Sequence, residues 1–158
     1  IVILENNFDV TTTGLSYQLT LIEPLIIDRA SDVFLEFINI QKIYEAALIT
    51  HLEGLNCFAL KIDEFPIKTA SNNPLLFDKY IIPNDSYGKT DINGDGADGE
   101  VDATSYNIRL KSNYICTINP MEITTLNITL SGFKTSLVDL YSPVGGKIII
   151  GLFIKKHR

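Results

Sequence analysis

The sequence of 158 residues contains no tryptophan, two histidines and two cysteines, and these scarcities exclude several classes of protein. Zinc sites need histidine and cysteine at short, defined spacings, and none of those spacings occurs in the sequence. Cys57 and Cys116 lie far apart, so we expect two reduced, buried thiols rather than a disulfide framework.

Long apolar runs and an excess of positive charge are also absent. No stretch reaches the roughly 18 uninterrupted apolar residues of a membrane-spanning helix, and the longest runs, such as residues 147–154, have the length of a buried strand. The 13 Lys and Arg residues stand against 19 Asp and Glu residues, for a net charge of −6. This balance argues against non-specific binding of nucleic acid and against docking on an anionic membrane.

The sequence offers few groups for catalysis, and it has no glycine-rich phosphate loop or nucleophile elbow. His51 and Cys57 are close in sequence, but nothing else favours a nucleophilic pair, and we interpret His51 as a partly buried structural residue. His157 lies in a basic tail that predicts a solvated run of charge. Asp63 and Glu64 are adjacent in a predicted strand, where they would point to opposite faces. We therefore predict that the chain is not an enzyme.

Strand signals dominate the rest of the sequence. Runs rich in Thr, Ile, Leu and aromatic residues alternate between polar and apolar positions with the two-residue period of a strand. In residues 32–40 the alternation places Val33, Leu35 and Phe37 on one side and Phe34 on the other. The segments predicted as strands are residues 7–13, 16–27, 32–40, 57–67, 75–82, 105–110, 114–118, 124–130 and 147–154.

The spacing of these segments predicts the fold class. Residues 41–54 carry a weak 3.6-residue period, which is compatible with one short helix or with an irregular connection. Elsewhere no long helix alternates with the strands, which disfavours a parallel sheet. About eight short strands in a chain of this length are typical of an eight-stranded antiparallel jelly-roll β-sandwich. We predict one such all-β domain over residues 1–158, with a surface insertion at residues 84–103.

The insertion contains the one segment with a recognisable ligand spacing. Residues 91–102 place oxygen-bearing side chains at loop positions 1, 3 and 5, Gly96 at the sharp turn of position 6, and a carboxylate at position 12. This is the spacing of an EF-hand or dockerin calcium loop, because Ca²⁺ takes six to eight oxygen ligands. The predicted calcium ligands are Asp91, Asn93, Asp95, Ala97 through its carbonyl group, and Asp102.

The calcium hypothesis has a plain alternative. Position 12 carries the shorter Asp102 in place of glutamate, and no helix precedes Asp91. Asn-Gly and Asp-Gly pairs make tight turns without any metal, so the same residues could form a solvated acidic hairpin tip. The sequence leaves both interpretations open, and a bound Ca²⁺ would order the loop rather than take part in a reaction.

Several segments together resemble a known family. The pattern resembles the single jelly-roll capsid proteins of large double-stranded DNA viruses of protists, and of virophages and polinton-like viruses. The segments that carry the resemblance are residues 21–28 (LIEPLIID), 31–37 (SDVFLEF), 58–65 (FALKIDEF), 71–73 (SNN), 81–84 (IIPN) and 146–154 (GKIIIGLFI).

The resemblance implies a structural role in the virion. Proteins of this family form pentameric vertex capsomers (pentons), or minor capsid proteins that cement the larger capsomers. The expected partners are therefore further copies of the chain, as a homopentamer, and other capsid proteins. The family has no motif of active residues. Phe34, on the side opposite Val33 and Leu35, is compatible with a flank that contacts a neighbour and equally with packing inside one large sandwich.

Two other functions remain open at the level of sequence. The first is a calcium-stabilised β-sandwich module that binds a carbohydrate or a receptor, in which Tyr80, Tyr87 and Tyr106 would replace the missing tryptophan as aromatic contacts. The second is a jelly-roll enzyme of the cupin type. That enzyme needs a cluster of metal-binding histidines, which two distant histidines do not supply.

Overall fold

Extended strands are the regular elements of the computed structural model, which describes residues 1–8, 15–41, 44–45, 57–83, 89–91, 104–133, 137–141 and 146–158. The strands are β1 (Val2–Phe8), β2 (Leu15–Ile27), β3 (Ser31–Gln41), β4 (Tyr44–Glu45), β5 (Cys57–Ile62), β6 (Tyr80–Pro83), β7 (Lys89–Asp91), β8 (Thr104–Ile118), β9 (Met121–Phe133), β10 (Leu137–Val138), β11 (Leu140–Tyr141) and β12 (Gly146–Lys156). No helix occurs in the described ranges, so the all-β prediction is confirmed.

The strands form two main antiparallel sheets. Sheet I has the order β1-β12-β3-β8-β7, and sheet II has the order β2-β9-β5-β6, with the short β10 also paired to β9. The two-residue strands β4 and β11 pair with each other. Within the described ranges, eight strands have four residues or more, and along the chain they alternate between the sheets, except that β5 and β6 form a hairpin within sheet II.

The core lies between the two sheets. Sheet I contributes alternate residues of β1, β3 and β12, and sheet II contributes alternate residues of β5 and β9, as the two-residue period of a strand requires. The side chains in the core with at most 2% exposure include Leu4, Val33, Leu35, Ile38, Phe58, Leu60, Ile62, Ile82, Ile118, Ile123, Leu126, Ile128, Leu130, Ile148, Ile150 and Leu152. Both thiols are free, as the sequence predicts; Cys116 is buried as predicted, but Cys57 is only half-buried.

Several predicted strand boundaries are wrong. The segments 105–110 and 114–118 form one strand, β8, because Lys111, Ser112 and Asn113 stay extended instead of turning. Residues 75–79 lie in a turn before β6, where Ser71 Oγ accepts from the Asn73 backbone N–H and Asn73 Oδ1 accepts from the Leu75 backbone N–H. Most of the weakly helical segment 41–54 lies outside the described residues, but β3 reaches Gln41.

The predicted side of Phe37 is also wrong. Leu35 pairs with Leu152 of β12 and Phe37 with the adjacent Gly151, so Glu36 is one extra residue in β3, and one extra residue moves the following side chains to the other face. Val33 and Leu35 are buried, and Ile38 takes the next buried position in place of Phe37. Phe37 therefore lies on the outer face of sheet I, the face on which Phe34 also lies.

Candidate functional site

The outer face of sheet I carries a cluster of aromatic side chains. The register places Phe153 of β12 beside Phe34 of β3, and Phe34 beside Tyr114 of β8. The Phe34 ring lies 5.9 Å from the Tyr114 ring at 72°, and 6.2 Å from the Phe153 ring at 40°. Tyr114 is 51% exposed and Phe153 is 38% exposed, so large apolar surface faces solvent outside the core.

A second row of apolar residues lies beside the first. Ile3 of β1 pairs with Gly151 of β12, and Gly151 pairs with Phe37 of β3. Gly151 has no side chain, and the Phe37 ring covers its Cα, since a Cβ built there would meet Cζ of that ring at 2.8 Å. Ile3 is 61% exposed. We call the surface formed by Ile3, Phe34, Phe37, Tyr114 and Phe153 the aromatic face.

A chain of hydrogen bonds borders one end of the aromatic face. Thr117 Oγ1 donates to Asp32 Oδ1 at 2.7 Å, and His157 Nε2 lies 2.9 Å from the same oxygen. Because the Thr117 proton is directed to Asp32, the Tyr114 hydroxyl donates to Thr117 Oγ1, at 2.8 Å. The hydrogen bonds from Thr117 and His157 lower the pKa of Asp32, so this carboxylate stays charged at neutral pH.

The basic tail, residues 155–158, is held by Asp28, in the turn before β3, and by Asp32, at the start of β3. Lys156 Nζ lies 2.9 Å from Asp28 Oδ1, and the His157 backbone N–H donates to the Ala30 carbonyl oxygen at 2.9 Å. The tail side chains are exposed, as the sequence predicts, but their pairing with Asp28 and Asp32 was not predicted. A sequence pattern could not indicate these pairs, because the paired residues are more than a hundred positions apart.

Charged residues also border the other parts of the aromatic face. At the opposite end, Lys147 of β12 forms an ion pair with Glu5 of β1. Near the tail, Glu36 and Lys155 line a shallow pocket of about 240 Å³ together with two rings of the aromatic face, Phe34 and Phe153. The aromatic face therefore lies between two ends that each carry both signs of charge.

The outer face of sheet II is polar, in contrast to the aromatic face. Ser16 and Thr129 share a hydrogen bond of 2.9 Å between their hydroxyl groups, and Gln18 Nε2 donates to Asn127 Oδ1 at 3.0 Å. The Glu64 carboxylate accepts from the Asn127 backbone N–H at 2.9 Å and from its Nδ2 at 2.7 Å. Glu64 follows the end of β5, so the prediction that it lies in a strand is wrong.

A small ion-pair cluster lies at the same end of β5. Lys61 Nζ lies 3.1 Å from Asp63 and 3.0 Å from Asp78, and Lys79 Nζ lies 2.8 Å from Asp78. The hydrogen bonds from Lys79 and Lys61 lower the pKa of Asp78 from 3.8 to about 2. Asp63 therefore has a pairing role beside Lys61, in the turn that follows β5 and not in a strand.

We expect Asp78→Asn to reduce the loss of stability in acid. Because folding lowers this pKa, the ion pairs stabilise the fold fully above pH 4 or so, and their contribution disappears as the pH falls toward about 2. The side chain is 42% exposed, so the effect should stay below about 1 kcal/mol. Urea unfolding of both proteins at neutral pH and near pH 2 measures the difference. Asp63→Asn is the control and should keep the wild-type pH dependence, since Asp78 retains both lysines.

A groove of about 480 Å³ runs between the edges of the two sheets. It is lined by β1 on one side and by Leu19–Leu25 of β2 on the other. The pairing of β2 with β9 is interrupted between Thr20 and Leu25, which lets this part of β2 depart from sheet II. Ile22 in this segment is fully exposed. The groove is apolar, and none of the described groups in it is arranged for a reaction.

Only part of the predicted calcium loop falls within the described residues. Asp91 is the last residue of β7, and it pairs with Thr104 of β8. Asn93, Asp95, Ala97 and Asp102 lie outside the described residues. Across the described ranges, no three His, Cys, Asp or Glu side chains lie together in a group that could hold a metal ion.

The comparisons with known proteins add no identification. Neither the protein-family models, nor the curated proteins, nor the solved structures gave a match to this chain. Within the part of the chain that the structure describes, no helix is both long enough and apolar enough to cross a membrane. The function is therefore inferred from the strand order and from the surfaces described above.

Proposed function

We propose that the chain is a structural subunit of an icosahedral viral capsid, built as a jelly roll and located in the virion. The strand order is the observation that carries the proposal. Counting the eight longer strands in sequence, sheet I has the order 1-8-3-6 and sheet II the order 2-7-4-5. This order interleaves two Greek keys, which is the arrangement of jelly rolls, and viral capsid domains are a major class of them.

The surfaces support a role in assembly more than a role as a carbohydrate-binding module. A capsid subunit must bury its flanks against neighbours, and large exposed apolar patches mark such contacts. The aromatic face supplies such a patch. The rings of Phe34, Tyr114 and Phe153 are tilted by 40° and 72° and form no flat platform on which a sugar ring could stack. We assign the chain no catalytic step.

Two roles within a capsid fit this fold. The chain forms either the pentameric vertex capsomer or a minor capsid protein that contacts the major capsomers. A pentamer needs heterologous contacts, in which two different surfaces of the subunit meet around a five-fold axis. The number of copies in the isolated assembly separates these roles.

Calcium binding by the insertion is a second part of the proposal. Asp91 and Thr104 are opposite each other in the ladder of β7 and β8, so residues 92–103 leave and re-enter sheet I at neighbouring positions. The oxygen ligands at Asp91, Asn93, Asp95, Ala97 and Asp102 would then bind Ca²⁺ close to the end of this hairpin. The ion would reduce the repulsion among the carboxylates of the loop.

Light scattering after size exclusion, with calcium and then with excess chelator, tests the proposal. A closed pentamer supports the vertex role, and a smaller defined oligomer supports a minor capsid protein. A chain that stays monomeric under both conditions at every concentration contradicts the vertex role and leaves a cementing protein that needs its shell or a stand-alone binding module. Calorimetric titration with Ca²⁺ tests the loop separately: Asp95→Ala should abolish binding, whereas Asp98→Ala, which alters no predicted ligand, should retain it. Equal binding by both variants contradicts the calcium site.

A further inference from the structure

The aromatic face is larger than packing within the monomer requires. The core between the sheets is already filled by side chains of at most 6% exposure, and none of the aromatic-face residues is needed to complete it. Leaving Ile3, Tyr114 and Phe153 in water costs free energy in proportion to their apolar area. The face is therefore expected to be covered in the functional state.

The charges around the aromatic face restrict what can cover it. The chain as a whole has a net charge of −6. The charge at the border of the face is balanced in contrast, because Lys147 pairs with Glu5 at one end and Lys156 pairs with Asp28 at the other. Lys155 lies with Glu36 at the edge of the rings. A nucleic acid or an anionic membrane would need an excess of positive charge, and a strongly basic protein would need an excess of negative charge.

A second copy of the same face meets these requirements. Rotation by a two-fold axis places the Glu5–Lys147 end of one copy against the Asp32–His157 end of the other. Each end carries both signs, so no block of like charge is brought together. The apolar rows then meet in the middle, and two antiparallel sheets pack in this way at about 10 Å. Phe37 does not obstruct the approach, because it covers Gly151.

We propose that the aromatic face is the contact between two copies of this chain in an isologous, two-fold dimer. The inference rests on the proposed structural function and names its partner. A two-fold contact differs from the heterologous contacts of a pentamer. The inference therefore assigns the chain to the minor capsid proteins, as a dimer that spans two capsomers, and not to the vertex.

Sedimentation equilibrium of the wild-type chain and of Phe153→Glu tests this inference. The same position occurs twice in an isologous contact, and truncating one buried aromatic anchor typically weakens binding about ten-fold or more. We expect the dissociation constant of the dimer to rise at least about 100-fold. Ile3→Glu is a second variant on the aromatic face, at a side chain that is 61% exposed. Circular dichroism verifies that both variants remain folded.

Phe77→Glu is the matched control, since Phe77 is 52% exposed in the turn before β6 and lies off the aromatic face. It should dimerise like the wild-type chain. An oligomer that Phe153→Glu and Ile3→Glu leave unchanged overturns this inference but not the capsid proposal. A pentamer that these variants dissociate overturns the two-fold geometry. A wild-type chain that is monomeric throughout overturns this inference and the vertex role, but not a minor capsid protein that binds only to its capsomers.

Discussion

Phe58→Ala is expected to lower the free energy of unfolding by about 3–5 kcal/mol. Phe58 is the largest of the side chains with no measurable exposure, and it lies on β5 between β6 and β9 in sheet II. Truncation removes the ring from the core and leaves a cavity that the two sheets cannot close, because both are held by their ladders. Domains of this size have a free energy of unfolding of only about 5–15 kcal/mol, so the variant would lose a large part of its stability.

Chemical denaturation with urea, followed by circular dichroism, measures this effect. Phe77→Ala is the control, because it makes the same change in a side chain that is 52% exposed, and it should alter stability by no more than about 0.5 kcal/mol. Phe58→Leu keeps most of the volume and should fall between the two. Equal losses for Phe58→Ala and Phe77→Ala would contradict the described core.

Gly151→Ala is expected to lower the free energy of unfolding by about 1–3 kcal/mol, the typical range for overpacking. The added methyl group would overlap the Phe37 ring. The ladder between β12 and β3 also shifts register between Gly151 and Leu152. The ladder fixes the backbone at this point, so Gly151 cannot move away from the Phe37 ring. Phe37 must therefore leave its position over β12.

The double variant Gly151→Ala with Phe37→Ala separates this overlap from any other effect of the new side chain. If the overlap is the cause, Gly151→Ala should cost much less in the Phe37→Ala background than in the wild-type chain, and urea unfolding of all four proteins gives the coupling free energy. An additive result would show that the cost of Gly151→Ala does not come from overlap with the Phe37 ring.

Much of the fold could be predicted from the sequence, because the strands bury one face and the two-residue period follows from that burial. Residues 16–27 and 32–40 were predicted within one residue of β2 and β3. The side of Phe37 could not be predicted, because it depends on an irregularity at Glu36 that is defined only by the pairing of β3 with β8 and β12. The turn at residues 75–79 was missed because Leu75 and Phe77 are apolar and yet exposed.

The aromatic face could be predicted only in part. The alternation in β3 already places Phe34 on the side opposite Val33 and Leu35. Its neighbours Tyr114 and Phe153 come from strands far away in the sequence, and a single sequence contains no signal for the register that joins them. The same holds for the contact between Asp32 and His157. Local pattern predicts the face of a residue, but long-range pairing decides what it contacts.

The pairing of β1 with β12 has a consequence for how the chain folds. Val2 lies opposite Leu152, so the first strand obtains its described partner only when the last strand is present, and β12 must enter between β1 and β3. During synthesis, β3 can pair with β8 before β12 is available. Until then β1 lacks its partner β12, and Leu4 is exposed to water. Contacts between distant residues slow folding. We therefore expect the pairing of β12 with β1 and β3 to be a late step in folding.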